Sequence, residues 1–195
     1  EESIEAMAKE KGMIAAELAY EILIENDGNN FIYAPLVNYA DHTFGVCKKM
    51  LDDKNAIMGL GDGGAHVGFI LDAGYPTWLI SYWSVKKKAF SMEETVRRLT
   101  SDTASAAGLN DRGILKVGLK ADINIIDWEN VGSSDPFMTQ DLPAGGKRLM
   151  QHTKGYVTPS VSGKVTYKNG DFTKERPGGV VKSVKDEEKT LEFVN

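Results

Sequence analysis

The chain changes character between residues 108 and 113, and that switch constrains its fold more than any other feature. Upstream, helical and strand-like segments alternate, which argues for α/β architecture with parallel strands. Downstream, short strands and turns follow one another, and that half reads as all-β. The sequence has no internal repeat and no low-complexity tract.

Residues 3 to 27 read as helix. Ile14, Leu18 and Ile22 recur every four residues, with Ala15, Ala19 and Leu23 beside them. Gly12 can break the segment in two, and Asn26-Asp27-Gly28 is a stop signal. Phe31 to Ala34 is a short apolar run that fits a strand. Thr43 to Leu51 reads as a second helix, with Phe44, Cys47 and Leu51 on one face and Asp41 placed to cap it. Ser91-Met92-Glu93-Glu94 has the capping-box form and opens a helix that Gly108 would close.

In the second half, Ile114 to Val117 and Ile123 to Ile126 are strand-like, joined across Gly118-Leu119-Lys120. Val157 to Val161 and Lys164 to Tyr167 form another pair across Ser162-Gly163. Asn169-Gly170 is a tight-turn signal. The charged tail, residues 183 to 195, reads as a frayed helix or as disordered.

The segment of most chemical interest is Ile57-Met58-Gly59-Leu60-Gly61-Asp62-Gly63-Gly64-Ala65-His66-Val67-Gly68. An apolar run, Ala56 to Leu60, ends in a glycine-rich loop carrying one carboxylate and, four residues on, one imidazole. Such runs bounded by glycines read as strands buried on both faces. Asp62 is either a turn aspartate bonded to its own backbone or a catalytic carboxylate. His66 is either a loop histidine satisfied by hydrogen bonds or a group that meets substrate. Cys47 reads as a core residue, because free cysteine packs as a small hydrophobe and nothing nearby activates it. Tyr75, Trp78, Tyr82 and Trp83 read as core packing, with the wall of an acyl pocket as the alternative.

Composition narrows the partners. The net charge is -5 with both signs interspersed, and there is no basic patch for nucleic acid. No apolar run reaches the roughly 20 residues needed to span a membrane. The single cysteine excludes an internal disulfide framework and a multi-cysteine zinc site, and it is compatible with a cytoplasmic setting. The sequence starts at Glu1 rather than at a methionine, as a processed chain or a piece of a longer one would.

Leu109-Asn110-Asp111-Arg112-Gly113-Ile114-Leu115-Lys116-Val117-Gly118-Leu119-Lys120-Ala121-Asp122-Ile123-Asn124-Ile125-Ile126-Asp127 resembles a hallmark of the amidohydrolase superfamily. There the chain leaves a barrel and re-enters a small β-sandwich. Gly61 to His66 resembles the end of barrel strand 8. Asp141 to Leu149, with Arg176-Pro177-Gly178-Gly179, resembles the D-aminoacylase (N-acyl-D-amino-acid deacylase) branch. The resemblance implies α/β plus β architecture. Residues 1–108 would be the closing βα units of a TIM-like (β/α)8 barrel. Residues 109–182 would be the C-terminal share of a small β-sandwich, followed by the tail 183–195. A complete barrel needs about 250 residues, so the chain is expected to be the C-terminal part of a longer hydrolase.

The same resemblance implies the chemistry. The parent protein is expected to hydrolyse an amide C–N bond with a divalent metal, zinc in most relatives, held mostly by residues upstream of Glu1. Asp62 is the expected catalytic and metal-touching residue. It would take a proton from the attacking water and return it to the leaving amine. Gly63, Gly64 and His66 are expected around a small-molecule amide substrate. Some members of the branch hold the substrate carboxylate with an arginine after this aspartate, whereas here none lies between Asp62 and Arg97. An N-acyl-(D-)amino acid therefore stands beside a cyclic amide, as in dihydroorotases and hydantoinases. The rival of another class is a non-catalytic, oligomerising fragment. An incomplete barrel exposes strand edges and apolar faces, so self-association is expected, without tight zinc binding by this chain alone.

Overall fold

The computed structural model describes residues 3–35, 37–39, 41–59, 61, 64 and 66–182. Asp62, Gly63 and the tail 183–195 lie outside them. Among the described residues, every helix of four or more residues precedes Ala107 and every strand follows Asp122.

The first predicted helix is two. α1 (Ile4–Lys11) is capped by the Ser3 hydroxyl, which accepts the Ala6 amide, and stops at Gly12 with φ of 66°. That left-handed turn is one glycine enters without a Cβ penalty. α2 (Ala15–Gly28) leaves helical geometry at Glu25, and Asn26 and Asp27 both take positive φ, as the stop signal required. Ala8 and Leu18 are buried where the two helices meet.

α3 (Gly45–Asp52) starts two residues later than expected. Asp41 does not cap it directly. Its carboxylate accepts the amide and hydroxyl of Thr43, and the Thr43 hydroxyl in turn accepts the Gly45 amide.

α4 (Tyr75–Trp78) runs straight into a π-helical segment, Leu79–Lys86. Its wider winding is closed by Lys87 N–H donating to Tyr82 O at 2.8 Å, and Ala89 N–H bonds back to Trp83 O at 2.8 Å. The main core forms here from Leu79, Trp83 and Phe90, with Phe44, Cys47, Leu51, Met58, Trp78 and Tyr82 packed against them. Burying each large apolar side chain of this kind contributes about 2–3 kcal/mol. Trp78 and Tyr82 stack with centroids 4.7 Å apart and planes 7° from parallel. Trp78, Tyr82 and Trp83 of the aromatic run thus pack in this core.

α5 (Met92–Leu99) begins at Ser91, whose hydroxyl accepts the Glu94 amide at 3.1 Å. The second half of the capping box is not used, because the Glu94 carboxylate binds Arg98 instead. Arg98 also donates to Leu51 O and lies over the Phe90 ring, which ties α5 to α3 and the core. The helix breaks at Thr100 (φ -126°, ψ -86°) before α6 (Ser101–Ala106).

The second half is antiparallel throughout. β1 (Ile123–Ile126), β6 (Tyr156–Val161) and β7 (Lys164–Val165) form one sheet in the order β1-β6-β7. β2 (Gly132–Ser133) pairs β5 (Thr153–Lys154), and β8 (Tyr167–Lys168) pairs β9 (Asp171–Phe172). β3 (Phe137–Leu142) pairs β4 (Gly146–Met150), with a register shift between Thr139 and Leu142. Both predicted tight turns form, with positive φ at Ser162-Gly163 and at Asn169-Gly170. Backbone twist of that hand suits two-residue hairpins.

Three expectations for single segments differ from what is observed. Residues 31–35 and 56–59 carry no strand pairing, and Phe31 and Ile57 are 42% and 53% exposed. A strand buried on both faces needs ladder partners for its amides and carbonyls. Among the described residues, no strand lies upstream of Ile123 to provide them. Residues 114–117 are also unpaired, and Leu115 and Val117 are 86% and 100% exposed.

Candidate functional site

The glycine-rich loop is fastened at both described ends. At its start, a Cβ on Gly61 would stand 2.7 Å from the Asp72 carbonyl oxygen and 2.7 Å from the Tyr75 ring. Only glycine fits there without movement. At its end, the Val67 carbonyl accepts the Leu149 amide at 2.8 Å, so β4 reaches onto the loop. Gly64 lies between, at φ of 99° with open space where a Cβ would stand.

His66 is exposed and takes φ of 44°. Its carbonyl accepts the amides of Phe69 and Ile70, and its ring lies 5.1 Å from that of Phe69. Of the sequence-derived site residues, Gly64 and His66 therefore share one solvent-facing turn. Asp62 and Gly63 fall outside the described residues.

The other two histidines are elsewhere. His42 is exposed, with its ring 6.2 Å from that of Tyr39 in an edge arrangement. His152 is exposed in the β half, 4.7 Å from the Phe137 ring. Among the described residues, no three His, Cys, Asp or Glu side chains gather closely enough to hold a metal ion. The described donors alone do not fit a metal centre. Cys47 donates to Asn38 O at 3.4 Å, and burial pushes its thiol above the ordinary value. It is a packing residue rather than a thiolate nucleophile.

Away from the loop, sequence reasoning missed two charged clasps. The re-entry segment was read for its turns, yet Arg112 binds both Asp111 and Asp122. The second Asp122 oxygen accepts the Ser162 amide at 2.8 Å. Hydrogen bonds from Arg112 hold the Asp111 carboxyl below its usual range, and raise Arg112 in turn. In the β3–β4 hairpin, Arg148 grips Asp141 through two bonds of 2.7 and 2.6 Å. That bidentate contact lowers Asp141. Opposite charges flanking each turn were the available signal. A third link joins the halves: the hydroxyls of Thr77 and Tyr156 lie 2.9 Å apart.

The profile of the amidohydrolase family matches residues 1–167. The chain belongs to the amidohydrolase family. A dihydroorotase from Lactobacillus acidophilus is 33% identical over 89 residues, 44% of this chain and 20% of that protein. The match thus spans about a fifth of the length of the curated relative. No solved structure matches significantly. Within this amidohydrolase, the clasp from Arg112 to Asp122 gives the re-entry segment a physical role. It closes the segment on itself and docks it on the turn between β6 and β7. No helix among the described residues is long and apolar enough to cross a membrane.

Proposed function

We propose that this amidohydrolase chain is the C-terminal part of a protein that hydrolyses an amide C–N bond, with a closing barrel segment over residues 1–108 and a sandwich portion over 109–182. The observation that carries the reading is the family match over residues 1–167. Asp62 is the proton-shuttling carboxylate: it removes a proton from the attacking water and delivers it to the departing amine. Gly63, Gly64 and His66 border the substrate. The family chemistry uses a divalent metal, zinc in this reading, and its ligands would come mostly from residues outside those described here.

The substrate of the first reading is an N-acyl-(D-)amino acid, supported by the likeness of residues 141–149 and 176–179 to the deacylase branch. Within that stretch Asp141 and Arg148 clasp a hairpin. The dihydroorotase relative favours a second reading, a cyclic amide such as a dihydropyrimidine or hydantoin. The deciding experiment measures zinc-loaded full-length protein against N-acetyl-D-amino acids, dihydroorotate and hydantoins. One class should be turned over, and Asp62→Ala should abolish turnover while the protein still folds. Retained activity in that variant would sink the assignment.

We propose further that the chain by itself self-associates in the cytoplasm. Ile14, Tyr20 and Phe69 are each about two-thirds exposed, and the outer edge of β1 has no partner strand among the described residues. Sedimentation tests this: a compact monomer at micromolar concentration contradicts it.

A further inference from the structure

We infer that the outer face of α2 in one copy of this chain docks on the α3 face and the adjoining lysine run of a second copy; this rests on the proposal that the chain self-associates. α2 turns Leu18 inward, with Ala15, Ala19 and Ile22 half-buried beside it. Tyr20 and Ile24 lie one turn apart on its outer side, each more than half exposed. Glu17 and Glu21 form the row next to them and are exposed as well. Apolar residues thus cover most of the circumference of α2, a pattern that belongs to a helix with neighbours on two sides. α1 supplies the inner neighbour, and the outer row faces solvent.

The complementary surface is on α3. Val46 and Met50, also one turn apart, are each nearly half exposed, and Lys49 is exposed beside them. Lys86, Lys87 and Lys88 are all exposed at the same corner. Lys86 and Lys87 lie over the Tyr82 ring at 5.8 and 5.5 Å, and that ring is 5.4 Å from the ring of Phe44, the residue that opens α3. Lys48 of α3 in turn sits 4.6 Å over Phe90, just past the run. Among the described residues, none of Lys49, Lys86, Lys87 and Lys88 is paired with a carboxylate, and neither Glu17 nor Glu21 is paired with a cation. Two α2 faces brought together would oppose glutamate to glutamate, whereas α2 on α3 opposes glutamate to lysine and covers both apolar rows. α3 has eight residues and is about 12 Å long. A contact of that length buries less than the roughly 800 Å² per partner of a standard interface, so the association is weak and leans on its charges.

The test is sedimentation of the 195-residue chain and of two charge-reversed variants, Glu17→Lys/Glu21→Lys and Lys49→Glu/Lys86→Glu/Lys87→Glu. All five positions are exposed, so each variant should fold, with circular dichroism as the check. The wild-type chain should associate in about 0.1 M sodium chloride and roughly tenfold more weakly at about 1 M, as the screening length falls from about 10 Å to about 3 Å. Each variant alone should sediment as a monomer. Mixed in equal amounts, the two should pair one to one, because the acidic α2 of one still meets the basic corner of the other. A wild-type chain that is monomeric at micromolar concentration overturns the self-association reading itself. Association that persists in either variant alone, that salt leaves unchanged, or that the mixture fails to restore overturns the α2–α3 contact and leaves self-association to another face.

Discussion

Arg112 reaches ten residues along the chain to Asp122 at 2.5 Å, and Asp122 passes the contact on to the Ser162 amide. One carboxylate thereby holds both the re-entry segment and the β6–β7 turn. Removing either charge should loosen the β half, but unequally. Asp122→Ala strips Arg112 and Ser162 of a partner together, whereas Arg112→Ala leaves the Ser162 bond intact and gives up besides only the pair with Asp111, its exposed sequence neighbour. The expected order of melting temperatures is wild type, then Arg112→Ala, then Asp122→Ala, with steps of roughly 3 °C. Calorimetry of the three proteins checks it, and a reversed order would show that the Ser162 bond contributes little.

Gly61 and Gly64 sit in one loop and should respond differently to alanine. A methyl at position 61 meets the Asp72 carbonyl and the Tyr75 ring, both at 2.7 Å, and the carbonyl cannot swing aside. Gly61→Ala should cost about 1–3 kcal/mol, the usual range for overpacking. At position 64 there is room, and the cost comes only from φ of 99°. Gly64→Ala should therefore cost about 1 kcal/mol. Urea unfolding of the two variants separates clash from backbone strain.

Acid should release the hairpin clasp. Arg148 holds the Asp141 carboxyl below the ordinary aspartate value of 3.8. A depressed folded-state pKa means that the native chain gives up this proton more readily than the unfolded chain. The stabilisation is therefore complete above the ordinary value and is lost as pH falls through the lower folded value. The pair is partly exposed, so the effect is small and screened by salt. Wild type and Asp141→Asn should differ in stability at pH 6 and converge as the pH falls below the ordinary aspartate range; a constant difference at all pH values would contradict the clasp.

Cys47 should alkylate slowly. Its thiol is partly buried against the aromatic core and its pKa is raised by desolvation. At neutral pH it should react with iodoacetamide about tenfold more slowly than free cysteine. The rate should climb only as pH passes above the ordinary thiol range. A rate equal to that of the free amino acid would mean that the α3 face opens readily.

Local chemistry was legible wherever a residue settles its own backbone. Gly12, Asn26-Asp27, Ser91, Ser162-Gly163 and Asn169-Gly170 each did what their φ preferences or side-chain acceptors dictate. What could not be read depends on neighbours. The runs at 31–34 and 56–59 are apolar enough for strands, but pairing requires another strand beside them. Thr100 breaks a helix whose sequence periodicity continues through it. Leu149 and Val67 are both unremarkable in sequence, and their bond exists only because the hairpin and the loop meet. Asp62 was legible as a residue type at an expected address, and it lies outside the described residues.

The π winding of Leu79–Lys86 gives the core an adjustable length of chain. An α-helix that loses one residue rotates everything beyond the cut by about 100°, and the next buried side chain turns to solvent. A π segment has a surplus to give up. Deleting one exposed residue there could be absorbed by a return to ordinary winding, leaving Phe90 and Ser91 in place. This stretch of chain therefore has a tolerance to a change in length that is normally reserved for loops.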